Sequence, residues 1–228
     1  MTPPPSHIES VSNATSFLSG NLSLNLAGGP LAGDLIFITS AQGGGGSSDI
    51  NQPSGFTDLT TLAGGLSGDG QFRLEVMYKI ATGAEGTNFG LTRSATGVGW
   101  AAGVSVYRDN SVAAPVVNGQ ITSSPSGGSQ NFPQVPASVD DSDLSCLFMI
   151  ANRAGASAVN ISSRPANYTT AIEQAFDDSG AASLGTTDRI LMAYFAIGGS
   201  LAARPLTPNA TFNNALEAHS VTVEVENL

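Results

Sequence analysis

Few side chains in this sequence stand where they could do chemistry. The two histidines, His7 and His219, lie near opposite ends of the chain, and neither has a cysteine or second histidine at ligand spacing. Zinc needs three or four clustered ligands, so the sequence predicts no zinc site. A Ser-His-Asp nucleophile would have to recruit His219, but no Gly-x-Ser-x-Gly elbow accompanies it. A rim or strand-end position is the ordinary reading of that histidine. The densest carboxylate cluster is Asp140-Asp141-Ser142-Asp143. Hard oxygens on a loop can hold calcium, yet the spacing and glycine of an EF-hand loop are missing. A solvated loop with a strand-opening Asp is the reading these acids favour over a calcium site. Glycosidase carboxylates meet only in three dimensions, and scattered acids lend them no support. The run Gly43 to Gly46 looks like a phosphate cradle, but no Gly-Lys-Ser/Thr follows it, so it reads as a surface loop. Cys146, the only cysteine, lies in the apolar run Leu144 to Ile150, where a small core residue is expected rather than a reactive thiol. Trp100, Tyr107, Phe56 and Tyr168 would make a sugar-stacking platform only if several shared one exposed face; core packing is their commoner use. The sequence therefore predicts no catalytic residue, no cofactor and no resident metal. Trp100 stands as the one candidate glycan contact.

The elements that would position these residues read as short strands. Asn21 to Leu26 alternates polar and apolar residues, the mark of a half-buried strand. Gly33-Asp34 launches the apolar strand Leu35 to Ile38, and Phe56 to Leu62 follows the turn that begins at Pro53. Phe72, Leu74, Val76 and Tyr78 share one face, with Arg73, Glu75, Met77 and Lys79 on the other. Phe89 to Arg93 and Trp100 to Arg108 are two further strands, and Gly99 and Gly103 suggest a bulge or a close backbone approach. Residues 109 to 139 contain Pro115, Pro125, Pro133 and Pro136 and read as a long loop without a regular central strand. Pro125, Phe132 and Pro133 in that loop, with Pro3, Pro4 and Pro5 in an N-terminal arm, are the candidate partner contacts.

From Asp143 the plan repeats. Asp143-Leu144 matches Asp34-Leu35, Pro165-Ala166-Asn167-Tyr168-Thr169 matches Pro53-Ser54-Gly55-Phe56-Thr57, and Arg189 to Tyr194 is set against Arg73 to Tyr78. Gly and Asn are the residues that best tolerate a left-handed turn position, which explains their exchange in that motif. Ser220 to Glu226 alternates with Val221, Val223 and Val225 inward, as a counterpart of Val104 to Tyr107. Thr170 to Phe176 also fits a helical turn. The expected architecture is all-β: a single antiparallel, jelly-roll-like β-sandwich of eight to ten strands over residues 15–228. Its pseudo-repeated halves, 33–109 and 143–227, are joined by a loop at 110–142 and preceded by a Pro-rich arm at 1–14.

Composition narrows the function classes. Charged residues make up 11% of the 228, against a usual share of about 25%, and 41% are hydrophobic. That balance argues against a disordered chain, which combines low hydrophobicity with high charge. Eight basic residues against 18 acidic ones give a net charge of -10, with Lys79 the only lysine. Phosphate neutralisation needs a clustered basic face, so nucleic acid is not an expected partner, and an anionic membrane would repel the chain. No signal peptide and no run of about 20 apolar residues is evident, which predicts a soluble protein made in a cytosol.

Gly33-Asp34-Leu35-Ile36-Phe37, Pro53-Ser54-Gly55-Phe56-Thr57, Met77-Tyr78-Lys79-Ile80-Ala81 and Val106-Tyr107-Arg108 together resemble a module of bacteriophage virion proteins. Its pattern runs Gly-Asp-apolar strand, Pro-x-Gly-Trp-Thr, Tyr-Tyr-Lys-x-Ala and Tyr-Arg-Gly. The likeness spans roughly residues 30 to 109, with a weaker echo to the C-terminus. Phe56 replaces the Trp, Met77 the first Tyr and Asp109 the closing Gly. The resemblance implies a non-enzymatic virion component, either a capsid decoration (cement) protein or part of a tail fibre or spike. Its expected partners are capsid or tail proteins and sister subunits, in a trimer by analogy. A carbohydrate-binding module that recognises host glycans is the alternative.

Overall fold

The computed structural model describes residues 4–15, 20–43, 50–64, 72–93, 99–108, 114–123, 128–134, 143–154, 158–178, 188–198, 204–213, 215 and 217–226. Among them the chain is all-β and antiparallel, and no helix is long and apolar enough to cross a membrane. The first eight strands are β1 (Ser6–Thr15), β2 (Asn21–Asn25), β3 (Leu35–Gln42), β4 (Ile50–Asn51), β5 (Thr57–Gly64), β6 (Phe72–Ile80), β7 (Asn88–Arg93) and β8 (Trp100–Arg108). The second eight are β9 (Val116–Ser123), β10 (Ser129–Asn131), β11 (Leu144–Ala154), β12 (Asn160–Ser163), β13 (Thr169–Asp178), β14 (Asp188–Gly198), β15 (Asn209–Asn213) and β16 (Glu217–Val225).

These strands form four sheets rather than the two of one sandwich. Two inner sheets, ordered β1-β8-β3-β6-β5 and β13-β14-β11-β16-β9, face one another. Each is backed by a three-stranded outer sheet, β2-β7-β4 or β10-β15-β12. The order in the second pair is that of the first with every strand number raised by eight. Three cores result. The central one joins Phe37, Leu74 and Tyr107 to Phe148, Tyr194 and Val221; the flanking ones gather around Leu24, Trp100 and Val104, and around Phe132, Leu147 and Phe195.

The expectation of eight to ten strands fails because the inner sheets bury both faces. β3, β8 and β16 are covered along nearly their whole lengths; β3 and β8 accordingly open or run as apolar stretches, whereas β16 keeps an alternating pattern although both its faces are buried. In β6, Leu74 and Val76 enter the central core while Met77 enters the outer one. Glu75, on the face read as polar, is buried against Arg73 at 2.7 Å.

Other expectations change in register. The N-terminal arm is mostly strand β1, paired with β8. Loop 110–142 contains β9 and β10, both edge strands, where Pro115 and a bulge at Asn118 are tolerated. The 170–176 stretch is strand, not helical turn. The motif pairing of the halves holds at the turn. Phe56 N donates to Pro53 O at 3.1 Å and Tyr168 N to Pro165 O at 3.2 Å, with Gly55 at φ 80° and Asn167 at φ 69°. A bulge follows each turn two residues after its Thr, at Leu59 and at Ala171. In β14, however, the partner of Thr169 is Ala196, whereas Thr57 faces Tyr78. Tyr194 is therefore displaced by two residues from the position assigned to it, a slip that keeps the face and so escapes a period-2 reading.

The inner sheets approach closely. A Cβ on Gly103 would lie 2.3 Å from Ile172 Cδ1, the close approach expected there. Hydrogen bonds close both margins of the interface: Ser12 Oγ donates to Gln174 Oε1 at 3.1 Å, and Gln120 Nε2 donates to Thr60 Oγ1.

Candidate functional site

The end of the molecule at which β3 and β11 open carries one set of buried polar pairs. Residues Asp34 and Asp143 each open an inner strand, and both openings lie at this end, because Tyr107, Leu144 and Gly198 line a single cleft there. Asp34 is buried and receives two bonds from Arg108, at 2.9 and 2.8 Å, and one from Leu31 N at 2.8 Å. Burial alone would raise its pKa, but these donors outweigh it and hold the carboxyl below its ordinary value. Beside it Lys79 pairs with Glu85 at 2.8 Å and lies 6.0 Å over the Phe56 ring. Glu85 also accepts from Thr82 and Gly83 N–H groups; despite a burial penalty, Lys79 and these donors lower it to about 2.

The equivalent place in the second half is built differently. Ile36 faces Val106 across the first inner sheet and both pack near Phe56 in an apolar core. At the matching position Ser145 faces Glu224, and Ser145 Oγ donates to Glu224 Oε1 at 2.6 Å. Tyr168, the counterpart of Phe56, lies 3.0 Å from the same hydroxyl. Arg204 enters with Nη1 3.7 Å from Glu224 Oε2 and Nη2 bonded to Asp143 O. Burial pushes Glu224 up to about 7, with Ser145 and Arg204 opposing and Asp143 assisting. Sequence reading missed this network for a physical reason. Glu224 alternates with inward valines and so looks solvent-facing unless a fourth layer is known.

The cleft between the halves measures about 540 Å³. Pro4, Pro5 and His7 wall it on one side, and Thr169, Ala171, Ala196 and Gly198 on the other. It exists where the second half is small: Ala171, Ala196 and Gly198 stand where the first half has Leu59, Tyr78 and Ile80. The His7 ring lies 5.3 Å from Tyr107 and its Nε2 is 2.5 Å from Ser10 Oγ. Burial lowers the His7 pKa although Glu9 pulls it up. Ser10 Oγ donates to Ser105 Oγ at 3.0 Å, so its proton is turned away from the His7 ring.

The outer sheets present a second kind of surface. The outward positions of β2, β7 and β4 are Asn21, Ser23, Asn25, Asn88, Gly90, Thr92 and Asn51, with no charge among them. Asn88 bonds Ser23 and Asn25, and Asn51 bonds Thr92. On β10 and β15, Asn209 bonds Ser129 and Asn131 in the same way. Sequons begin at Asn21, Asn160 and Asn209 because Asn-x-Ser/Thr puts both polar residues on one outward strand face.

Several sequence candidates take other places. Trp100 is 0% exposed, its face covered by Arg93 at 5.5 Å, so it offers no surface to a glycan. Phe132 and Pro133 are buried, Phe132 against Phe195 with ring centroids 6.2 Å apart, so neither is a surface contact. Pro4 and Pro5 line the cleft; Pro3, Pro125, Asp140 and Asp141 lie outside the described residues, as does most of the glycine run. Asp143 is buried beneath Arg204, and no group of metal-ligating side chains occurs among the described residues. Cys146 is a core thiol, raised by burial and 3.2 Å from Tyr194 Oη. His219 is not at a rim: it is buried inside β16, 3.3 Å from Glu217. No protein-family model, no curated protein and no solved structure matches this chain.

Proposed function

We propose that this chain is a non-enzymatic structural protein of a bacteriophage virion. In this reading it is a capsid decoration (cement) protein or a component of a tail fibre or spike, and it acts through protein–protein contacts in a symmetric assembly. The observation that carries the reading is the use made of its reactive side chains. Cys146, His219 and Trp100 are all consumed by packing within a four-layer stack. The residues that resemble the virion module have structural duties: Asp34 and Arg108 pair, Gly55 supplies the left-handed turn and Lys79 braces Phe56.

The same reading holds that the two halves are pseudo-repeats of one jelly-roll unit. In each half the first strand neighbours the eighth, the eighth the third and the third the sixth, while the second neighbours the seventh and the seventh the fourth. That is the jelly-roll order with the fifth strand moved to the edge of the larger sheet. The matched turns, φ angles and bulges support it. Mass measurement of the purified protein, alone and mixed with particles lacking it, tests the proposal. Subunit assembly or stable particle association is expected; a monomer without affinity for particles contradicts it.

A second reading, a glycan-binding module, is favoured by the uncharged amide and hydroxyl faces of the outer sheets rather than by Trp100. Binding to neutral glycans on an array, weakened by Asn88→Ala or Asn209→Ala, would support it over the first.

A further inference from the structure

Five large hydrophobic side chains are exposed among the described residues: Ile8, Leu31, Ile80, Val116 and Leu206. Their exposure runs from 37% for Ile80 to 63% for Leu206. The strand registers put all five at the same end of the molecule. Ile80 faces Leu35 where β3 opens, and Leu31 N is bonded to Asp34. Ile8 sits at the bulge between the His7–Tyr107 and Glu9–Val106 pairs. Val116 faces Glu224, itself opposite Ser145 where β11 opens. Leu206 follows Arg204, which is fastened to Asp143 O. Ile8 and Leu31 line one notch, together with Gly28, Gly29 and Val106. Singly exposed apolar residues need no explanation, but their confinement to one end of a two-half molecule does.

We infer that this end is the docking face of the protein, and that its partner is a different protein whose apolar surface is flanked by Lys and Arg. The inference rests on the virion reading above and adds to it which surface makes the contact. Charge selects the partner. The cations at this end are committed: Arg108 to Asp34, Lys79 to Glu85 and Arg204 to Glu224. Glu9 accepts from the Ala27 and Gly28 amides, with no cation among its hydrogen-bond partners in the described residues, and Glu226 is exposed. The sequence supplies no basic residue between Arg108 and Arg153, and the whole chain carries -10. A second copy brought end to end would set acid against acid around the apolar patch. A basic-flanked surface would match it. Both halves contribute to the patch, Ile8 from edge strand β1 and Val116 from edge strand β9, at positions that are not equivalent in register.

The test adds full-length protein to parent particles lacking it and compares wild type with Leu31→Asp, Leu206→Asp and the double variant. Both positions are exposed, so the variants should keep the wild-type melting temperature. Each single variant is expected to weaken binding at least about tenfold and the double to abolish it, while Asn88→Asp on the outer sheet binds normally. Wild-type binding should also weaken as salt rises. Wild type that binds particles as well as its Leu31→Asp and Leu206→Asp variants overturns the docking face but leaves the virion reading standing. Wild type with no affinity for particles overturns both. Sedimentation showing a wild-type dimer that the double variant loses would make the occupant a second copy, and the inference would fail on its choice of partner.

Discussion

Glu224 occupies a position that strand alternation assigns to solvent, yet it is 3% exposed. Because burial lifts its pKa to about 7 from an ordinary 4.5, the folded state takes up a proton more readily than the unfolded chain between those values. Stability should therefore rise as pH falls from 7 toward 4.5, by at most about 3 kcal/mol. Asp34 and Glu85 act in the opposite sense. Their depressed pKa values contribute stability above the ordinary carboxylate range that is lost on further acidification. Thermal melts across pH should show a maximum near pH 5. Glu224→Gln should flatten the rise between 7 and 5 and leave the acid-side loss; an unchanged profile would show that Glu224 does not set it. None of this was legible in the sequence, because an acid alternating with valines gives no sign of an outer layer. Cys146 was legible, since a cysteine inside Leu144 to Ile150 has no polar neighbour strong enough to activate it.

At the scale of elements, the turns were the most readable feature. Pro53 to Thr57 and Pro165 to Thr169 were matched through Gly55 and Asn167, and both adopt positive φ with the same closing hydrogen bond. Exchange should follow that equivalence. Gly55→Asn and Asn167→Gly are expected to change stability by less than about 1 kcal/mol, whereas Gly55→Ala and Asn167→Ala should each cost about 1 kcal/mol or more, in denaturant melts. Equal tolerance of alanine and asparagine at Gly55 would refute the turn argument. Strands inside the 110–142 connection were not readable. β9 and β10 are edge strands, with Pro115, Asn118 and Gly119 in or beside β9, and such residues signal loops by composition. The two-residue displacement between Tyr78 and Tyr194 was equally invisible, because alternation fixes the face of a strand and not its offset.

For the molecule as a whole, the expectation of two like halves carried no information on how many layers the strands make. Each run of eight strands has its own three-stranded outer sheet, and its inner sheet is covered a second time by the other inner sheet. That contact has a sensitive point at Gly103. Gly103→Val should destabilise by about 2 kcal/mol through collision with Ile172, and Ile172→Ala in the same chain should recover part of the loss. Additive losses in the double variant would mean that the two sheets do not meet there as described. The exposed apolar end and the uncharged outer faces also belong to this scale, since each depends on which strand ends fall together. The proposal of a virion protein is checked most directly by the protein content of gradient-purified particles from the source of this sequence. This chain is expected there in a fixed stoichiometric ratio to the major capsid or tail protein, and complete, infectious particles that lack it would overturn the proposal.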